Sequence, residues 1–192
     1  FVSSLLAADQ VFLLHVYEAN ESPLDGGTTE DLSQAFTGQS PLNLNASLSG
    51  MHILADALQE SPSQLAFVGA GDIEDFAASF TSWMRSCRLK GESIDIAFFE
   101  YLKPRLSPSC RLKLQEPLAN KTTIKIGGTA RFFAEPANLS DLLVLLRAGK
   151  LFEFPTFCLG RGSNILISDQ GFDGLIIRFF APVWRHIQSL GQ

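Results

Sequence analysis

At 192 residues the chain can form one large domain or two small ones, and its 46% hydrophobic content with 16 Phe is enough for a core in either case. A formal net charge of −5 excludes a nucleic-acid partner, because there is no basic face to release counterions from a phosphate backbone. Cys87, Cys110 and Cys158 are odd in number and widely spaced, as are His15, His52 and His186; this suits neither a disulfide framework nor a metal site and fits a cytoplasmic chain of incidental thiols.

The chain opens on Phe1, and Asp9-Gln10 interrupts the apolar residues from Leu5 to Leu14. Without a basic leader this is neither a signal peptide nor a spanning helix, so no membrane partner is expected, and the missing Met suggests a piece of a longer protein. Residues 11–16 are apolar and partly β-branched, which predicts a buried strand. Turn formers fill 21–27, and Thr28 or Thr29 is placed to cap a helix reaching Gln34, with Glu30 or Asp31 in its first turn. The polar stretch 38–45 gives no clear element. Leu48, Met51, Leu54, Ala55 and Leu58 recur at helical spacing over 47–59. A second short buried strand is expected at 65–68, ended by Gly69-Ala70-Gly71-Asp72, and a helix from Ile73 to about Cys87. This strand–helix order implies an α/β region with a parallel sheet.

From Arg88 to Gln115 the texture changes. A helix over 95–106 carries Phe98, Phe99 and Leu102 on one side, Pro104 and Pro108 interrupt it, and a linker is expected within 89–115. Beyond it, residues 122–126 alternate as a strand, meet Gly127-Gly128, and give way to a second strand over 130–134. Ser140 is placed to cap a helix that closes near Gly149-Lys150. Strands follow at 155–159, 165–167 and 175–179, with a loop at 160–164 and a tight turn at 171–174. The edge near 175–180 is expected to be exposed and prone to association.

The loop Gly160-Arg161-Gly162-Ser163-Asn164 carries the chemistry. Its two glycines permit positive φ, so successive N–H groups can converge into an anion-holding nest. Ser163 and Asn164 add donors, and Arg161 adds a permanent cation suited to phosphate. The same residues also serve as a plain glycine-rich connection between strands.

Two motifs set that loop in context. Glu116-Pro117-Leu118-Ala119-Asn120-Lys121-Thr122-Thr123-Ile124-Lys125-Ile126-Gly127-Gly128-Thr129-Ala130 resembles the opening of the UDP-N-acetylenolpyruvoylglucosamine reductases. So does Leu159-Gly160-Arg161-Gly162-Ser163-Asn164-Ile165-Leu166-Ile167-Ser168-Asp169, followed by Gly171-Phe172-Asp173-Gly174. The resemblance covers about 116–190. It implies the first subdomain of a vanillyl-alcohol-oxidase-type (PCMH-type) FAD-binding domain, with Gly160, Arg161, Gly162, Ser163, Asn164, Ile165, Asp169 and Gly171 on the cofactor. It also implies NADPH as hydride donor and a UDP-sugar as substrate. Arg161 stands where the family often has a small residue, so it either strengthens a phosphate contact or projects into solvent. The family's catalytic residues are expected further downstream, so no catalytic or metal-binding residue is assigned within the chain.

Upstream, Val11-Phe12-Leu13-Leu14-His15-Val16-Tyr17-Glu18-Ala19-Asn20-Glu21-Ser22-Pro23 and Leu65-Ala66-Phe67-Val68-Gly69-Ala70-Gly71-Asp72-Ile73 are similar to the Rossmann-like C-terminal domain of UDP-N-acetylmuramate–L-alanine ligases. His15 and Asn20 depart from the acidic residue and Gly usual there. Tyr17 and Glu21 either face a substrate amino group or cap a strand end, and Gly69 to Asp72 reads equally as a structural turn. The phosphate-binding lysine loop of such ligases does not occur, so ATP and Mg would serve a part outside this chain.

Together the two resemblances imply a fusion of neighbouring steps in peptidoglycan-precursor synthesis: a ligase-like part over 1–88, a linker with a short helix over 89–115, and an FAD-binding part over 116–192. The fold class expected is α/β and α+β. The fragment is expected to be inactive alone, with L-alanine a substrate of the ligase part. Another flavin oxidoreductase of this fold, or a non-catalytic docking module, are the competing readings.

Overall fold

The computed structural model describes residues 2–15, 28–38, 40–58, 64–69 and 72–185, and the chain divides into two units, Phe1–Lys90 and Gly91–Gln192. Both mix helix and strand. Among the described residues no helix is long and apolar enough to cross a membrane.

In the first unit a short helix, α1 (Val2–Leu5), precedes β1 (Phe12–Leu14). Val11, Leu13 and Phe36 form a small core against which Val2, Leu5 and Leu32 pack. The helix α2 (Thr29–Gln34) begins where Thr28 forms a reciprocal capping box with Asp31. It leads to β2 (Leu42–Leu44), which pairs in parallel with β1. Ser47 caps α3 (Leu48–Ala57), whose buried Met51, Leu54 and Ala55 keep the expected spacing. The helix α4 (Asp72–Trp83) buries Phe76, Ser79, Phe80 and Trp83, positions three and four apart on one face, then widens into a π-helical turn at Met84–Leu89.

The parallel pairing expected here exists, but between β1 and β2. The run 65–68 is not a strand: Leu65 is 38% and Val68 72% exposed, and only Phe67 turns inward, onto Phe76 and Phe80. No strand lies beside this segment among the described residues, and an apolar run without a ladder partner gains nothing from extending into one. The positions of Val16, Tyr17, Glu21, Ala70 and Gly71, and the turn at 21–27, lie outside the described residues.

The second unit is built on a four-stranded sheet in the order β3 (Arg111–Pro117), β4 (Thr129–Glu135), β6 (Phe172–Arg178), β5 (Thr156–Leu159). β3 is antiparallel to β4, while β4, β6 and β5 are parallel. Two helices, α5 (Ile94–Leu102) and α6 (Leu139–Leu151), complete it. Phe132 on one sheet face meets Phe98 of α5 with ring centroids 4.4 Å apart, and Phe152 and Phe154 close over Phe98 at 5.3 and 5.0 Å. Burying such a ring stabilises the unit by about 2–3 kcal/mol.

A register shift between Ala130 and Phe132 puts Ala130 on the opposite face with Phe133. Against that face, with Leu118, Leu159 and Ile176, pack Ile165 and Ile167 of the connection leading from β5 to β6, and Phe172 at the start of β6.

Several expectations are corrected. The segment 89–115 is no free linker: α5 buries Ala97, Phe98, Tyr101 and Leu102, and β3 starts at Arg111 and pairs with β4. Residues 122–126 do not form a strand, because β3 occupies the place beside β4. Asn138, not Ser140, caps α6, its side chain accepting the Asp141 N–H at 2.9 Å. Residues 165–167 are extended without ladder pairing, and the strand expected at 175–179 begins already at Phe172, so the tight turn at 171–174 is partly strand. The exposed edges are β3 and β5, since β6 lies between two neighbours.

Candidate functional site

The loop at 160–164 leaves the carboxyl end of β5, where Leu159 is in register with Arg178 and its carbonyl accepts the Phe179 N–H at 2.9 Å. Gly162 is the buried pivot. Its φ of 70° is left-handed, and a Cβ there would run into the Lys121 carbonyl oxygen and come within 3.0 Å of Thr122 Cα. The Gly162 carbonyl accepts the Thr123 N–H at 2.9 Å. The loop is therefore moulded onto residues 121–123.

The rest of the connection runs alongside the segment before β4. Gly128 N–H donates to the Ser168 carbonyl at 2.9 Å, and so does Gly171 N–H, also at 2.9 Å. Gly171 has φ of 80° and lies so close to Thr129 that no side chain fits. Two β-branched residues point inward, Ile165 and Ile167, while Leu166 between them faces solvent.

Gly160, Arg161, Ser163 and Asn164 are exposed. Among the described residues, none of the N–H groups of 160–164 donates to a protein acceptor, and neither the Ser163 nor the Asn164 side chain has a protein partner. Arg161 forms no ion pair among the described residues. The loop thus combines main-chain donors and a guanidinium that are uncommitted among the described residues, the kind of donor set a diphosphate takes.

The other expected site residues differ. Ile165 serves the core through its side chain. Asp169 is exposed, with its carbonyl turned toward Gly128, and the Gly171 N–H is spent inside the protein. Gly160 to Asn164 thus share one loop whose N–H groups have no protein acceptor among the described residues, while Asp169 and Gly171 stand at the far end of the same connection, where Gly171 fixes its path.

The same unit holds charged pairs that the motifs do not single out. Lys121 sits with its ammonium 2.8 Å from Glu116 Oε1 and 5.1 Å from the Phe133 ring centroid. Lys113 also reaches Glu116, at 3.2 Å. The hydrogen bond from Lys121, with help from Lys113, holds the Glu116 carboxyl below the usual carboxylate range. At the strand ends, the Glu135 carboxylate, 9% exposed, pairs with Arg178 at 3.3 Å and Arg111 at 3.5 Å. Arg178 Nε is buried with no partner among the described residues. The sequence holds a signal for this pair: Glu135 and Arg178 each end an apolar strand run, where a charge must find a counter-charge. Among the described residues no group of three His, Cys, Asp or Glu is arranged to hold a metal ion.

No family model matches the chain. Curated relatives do. UDP-N-acetylenolpyruvoylglucosamine reductase of Chloroflexus aurantiacus is 37% identical over 73 residues, 38% of this chain and 25% of the relative. The enzyme of that name from Rhodopirellula baltica is 38% identical over 77 residues, 40% of this chain and 25% of the relative. UDP-N-acetylenolpyruvoylglucosamine reductase 1 of Bacillus cereus is 41% identical over 68 residues, 35% of this chain and 23% of the relative. The chain spans about a quarter of the length of the curated relatives it matches. One part of this chain is therefore similar to UDP-N-acetylenolpyruvoylglucosamine reductases.

Proposed function

We propose that the second unit is the opening part of the FAD-binding region of a UDP-N-acetylenolpyruvoylglucosamine reductase, with the N–H groups of Gly160, Arg161, Gly162, Ser163 and Asn164 on the cofactor pyrophosphate. One observation carries the proposal: a loop fixed in shape at the buried Gly162 and exposed on either side of it, whose N–H groups have no acceptor among the described residues. Hydrogen bonds to a charged acceptor contribute roughly 1.5–3 kcal/mol each, so three or four such donors suffice to hold a diphosphate. The similarity to named reductases supports the same reading.

In such an enzyme FAD, when bound, would supply the hydride chemistry between NADPH and the enolpyruvyl group of the UDP-sugar. The chain's own residues serve binding. The amides of 160–164 hold the phosphates, the Arg161 guanidinium adds charge at the open side, and Ile165 and Ile167 pin the loop to the sheet.

The first unit enters the proposal through its sequence resemblance to the C-terminal domain of UDP-N-acetylmuramate–L-alanine ligases, supported by the parallel pairing of β1 with β2 across α2. In a fusion of the two enzymes, ATP with Mg and L-alanine are the ligase substrates, and UDP-N-acetylmuramate passes from the reductase to the ligase.

The test is an amide-resolved titration of the chain with FAD. Binding should be weak, since only part of a flavin cradle is present, with shifts confined to 160–165. Saturating FAD that moves no resonance in that segment would remove the flavin reading. In a protein carrying the complete reductase, NADPH oxidation should require both FAD and the enolpyruvyl sugar; for the fusion, ATP hydrolysis should require L-alanine and UDP-N-acetylmuramate.

A further inference from the structure

A lysine beside a phosphate loop is ordinarily taken for a phosphate ligand. Lys121 is differently employed. Its side chain is 19% exposed, its ammonium lies 2.8 Å from Glu116 Oε1, and Glu116 is itself 13% exposed. The same ammonium lies over the Phe133 ring. The main chain around Lys121 is the surface on which the loop is moulded. Lys121 N–H donates to the Leu118 carbonyl at 2.8 Å, and Leu118 N–H to the Gly128 carbonyl at 3.0 Å, so 118–128 is a closed turn. Thr123 N–H then holds the Gly162 carbonyl, and the Lys121 carbonyl abuts Gly162 itself.

We propose that Lys121 is a positioning residue. Its ion pair with Glu116 and its seat on Phe133 lock the turn at 118–123, and that turn, through Thr123 and Gly162, aims the amides of 160–164 outward. The ligand side of this inference rests on the diphosphate reading above; the latch itself does not.

The experiment uses the full chain with Lys121→Met, Glu116→Gln, the double variant and Lys121→Arg. The first readout is hydrogen exchange at the Thr123 amide, which reports the bond to Gly162. Each of Lys121→Met and Glu116→Gln should speed that exchange about tenfold, a loss expected for one hydrogen-bonded charge pair. The double variant should add nothing beyond Glu116→Gln, because Lys121 acts through Glu116 and the exposed pair from Lys113 to Glu116 contributes little. Lys121→Arg should restore near-parental exchange. Glu116→Gln keeps side-chain size and decides the matter if Lys121→Met fails to fold.

The second readout is titration with ADP, the diphosphate half of FAD, followed at 160–164. Both single variants and the double should weaken ADP by the same factor, about tenfold. If Lys121 touched phosphate directly, Glu116→Gln would release the ammonium and tighten ADP while Lys121→Met weakened it; opposite signs overturn the proposal. Unchanged Thr123 exchange in the single variants overturns it as well. A parental chain that shows no ADP shift at 160–164 defeats the diphosphate reading alone, while Thr123 exchange still decides the latch.

Discussion

Gly162 and Gly160 stand two residues apart in one loop, yet alanine should affect them in opposite ways. At Gly162 the backbone has φ of 70°, and a new Cβ would collide with the Lys121 carbonyl and press on Thr122 Cα at 3.0 Å. A left-handed non-glycine residue costs about 1 kcal/mol, and overpacking against main chain adds about 1–3 kcal/mol. The Lys121 carbonyl cannot yield cheaply, because its turn is closed by the Lys121 N–H bond to Leu118 at 2.8 Å. Gly162→Ala should therefore destabilise the second unit by about 3 kcal/mol, a fall in Tm of roughly 10–20 °C for a unit of about 100 residues. At Gly160 nothing lies within 4 Å of the place a methyl would take and the φ is not left-handed, so Gly160→Ala should shift stability by only a few tenths of a kcal/mol. Its methyl would instead stand among the exposed amides and weaken FAD binding. Scanning calorimetry, with the Phe133 amide as reporter of the second unit, measures the first effect, and FAD titration the second. A Gly162→Ala chain melting within about 2 °C of the parent, or a Gly160→Ala chain falling as far as Gly162→Ala, would refute the account of the loop.

Three further outcomes follow from buried charge and burial. Burial, then the nearby carboxylates of Asp141 and Glu135, push the Cys110 thiol up to about 12, so at pH 8 iodoacetamide should modify exposed Cys158 first and Cys110 last, as read by mass spectrometry. Asp141 is buried and accepts hydrogen bonds from Ser107 N–H at 2.8 Å, Ser107 Oγ at 2.8 Å and Ala137 N–H at 3.0 Å; Asp141→Ala should cost about 3–5 kcal/mol in urea unfolding, and a loss below about 1 kcal/mol would mean these bonds are idle. Because the folded Glu116 carboxyl is held below its ordinary value of 4.5, chiefly by Lys121, its contribution is complete above that pH and is lost as pH falls through the lowered value. Glu116→Gln should accordingly be less stable than the parent at pH 7 and converge with it well below pH 4.5, as followed by denaturant midpoints.

Much of the fold is legible in the sequence wherever one residue's chemistry decides an outcome. Of the two threonines placed to cap α2, Thr28 does so, and the helical spacing over 47–59 marks α3 without naming Ser47 as its cap. The cap of α6 is Asn138 where spacing points to Ser140, because both residues accept N–H groups and only the chain path decides which lies at the first turn. Pairing is harder to read. Residues 122–126 alternate as well as any strand in the chain, but alternation states only that a segment can be extended, not that a neighbour awaits it. β3 carries the same kind of alternation, hidden behind Pro104 and Pro108, and it takes the edge of β4 because the antiparallel register from Arg111↔Glu135 to Pro117↔Thr129 spans the whole strand. At three residues each, β1 and β2 are too short for periodicity to announce their pairing. The loop at 160–164 is visible from its glycines, but its mould at 121–123 is not, since contact across some forty residues leaves no local pattern.

Parallel neighbours in a sheet are usually joined through a helix, and a helix commits nearly every N–H it contains. Between β5 and β6 the chain does otherwise. Residues 160–171 return to the sheet without a helix, so the core beneath must be closed by few side chains. Ile165 and Ile167 do this against Leu118, Phe133 and Ile176, and the bonds Thr123 to Gly162 and Gly128 to Ser168 hold the path without consuming the amides of 160–164. The free donors thus gather at the carboxyl end of a parallel strand, the place where α/β sheets bind their ligands. This arrangement has a direct consequence: the features that deny the crossing a helix, two β-branched residues and two left-handed glycines, are the same features that leave the N–H groups of 160–164 without an acceptor among the described residues, as the proposed diphosphate site requires. Packing and the proposed binding rest here on one stretch of main chain.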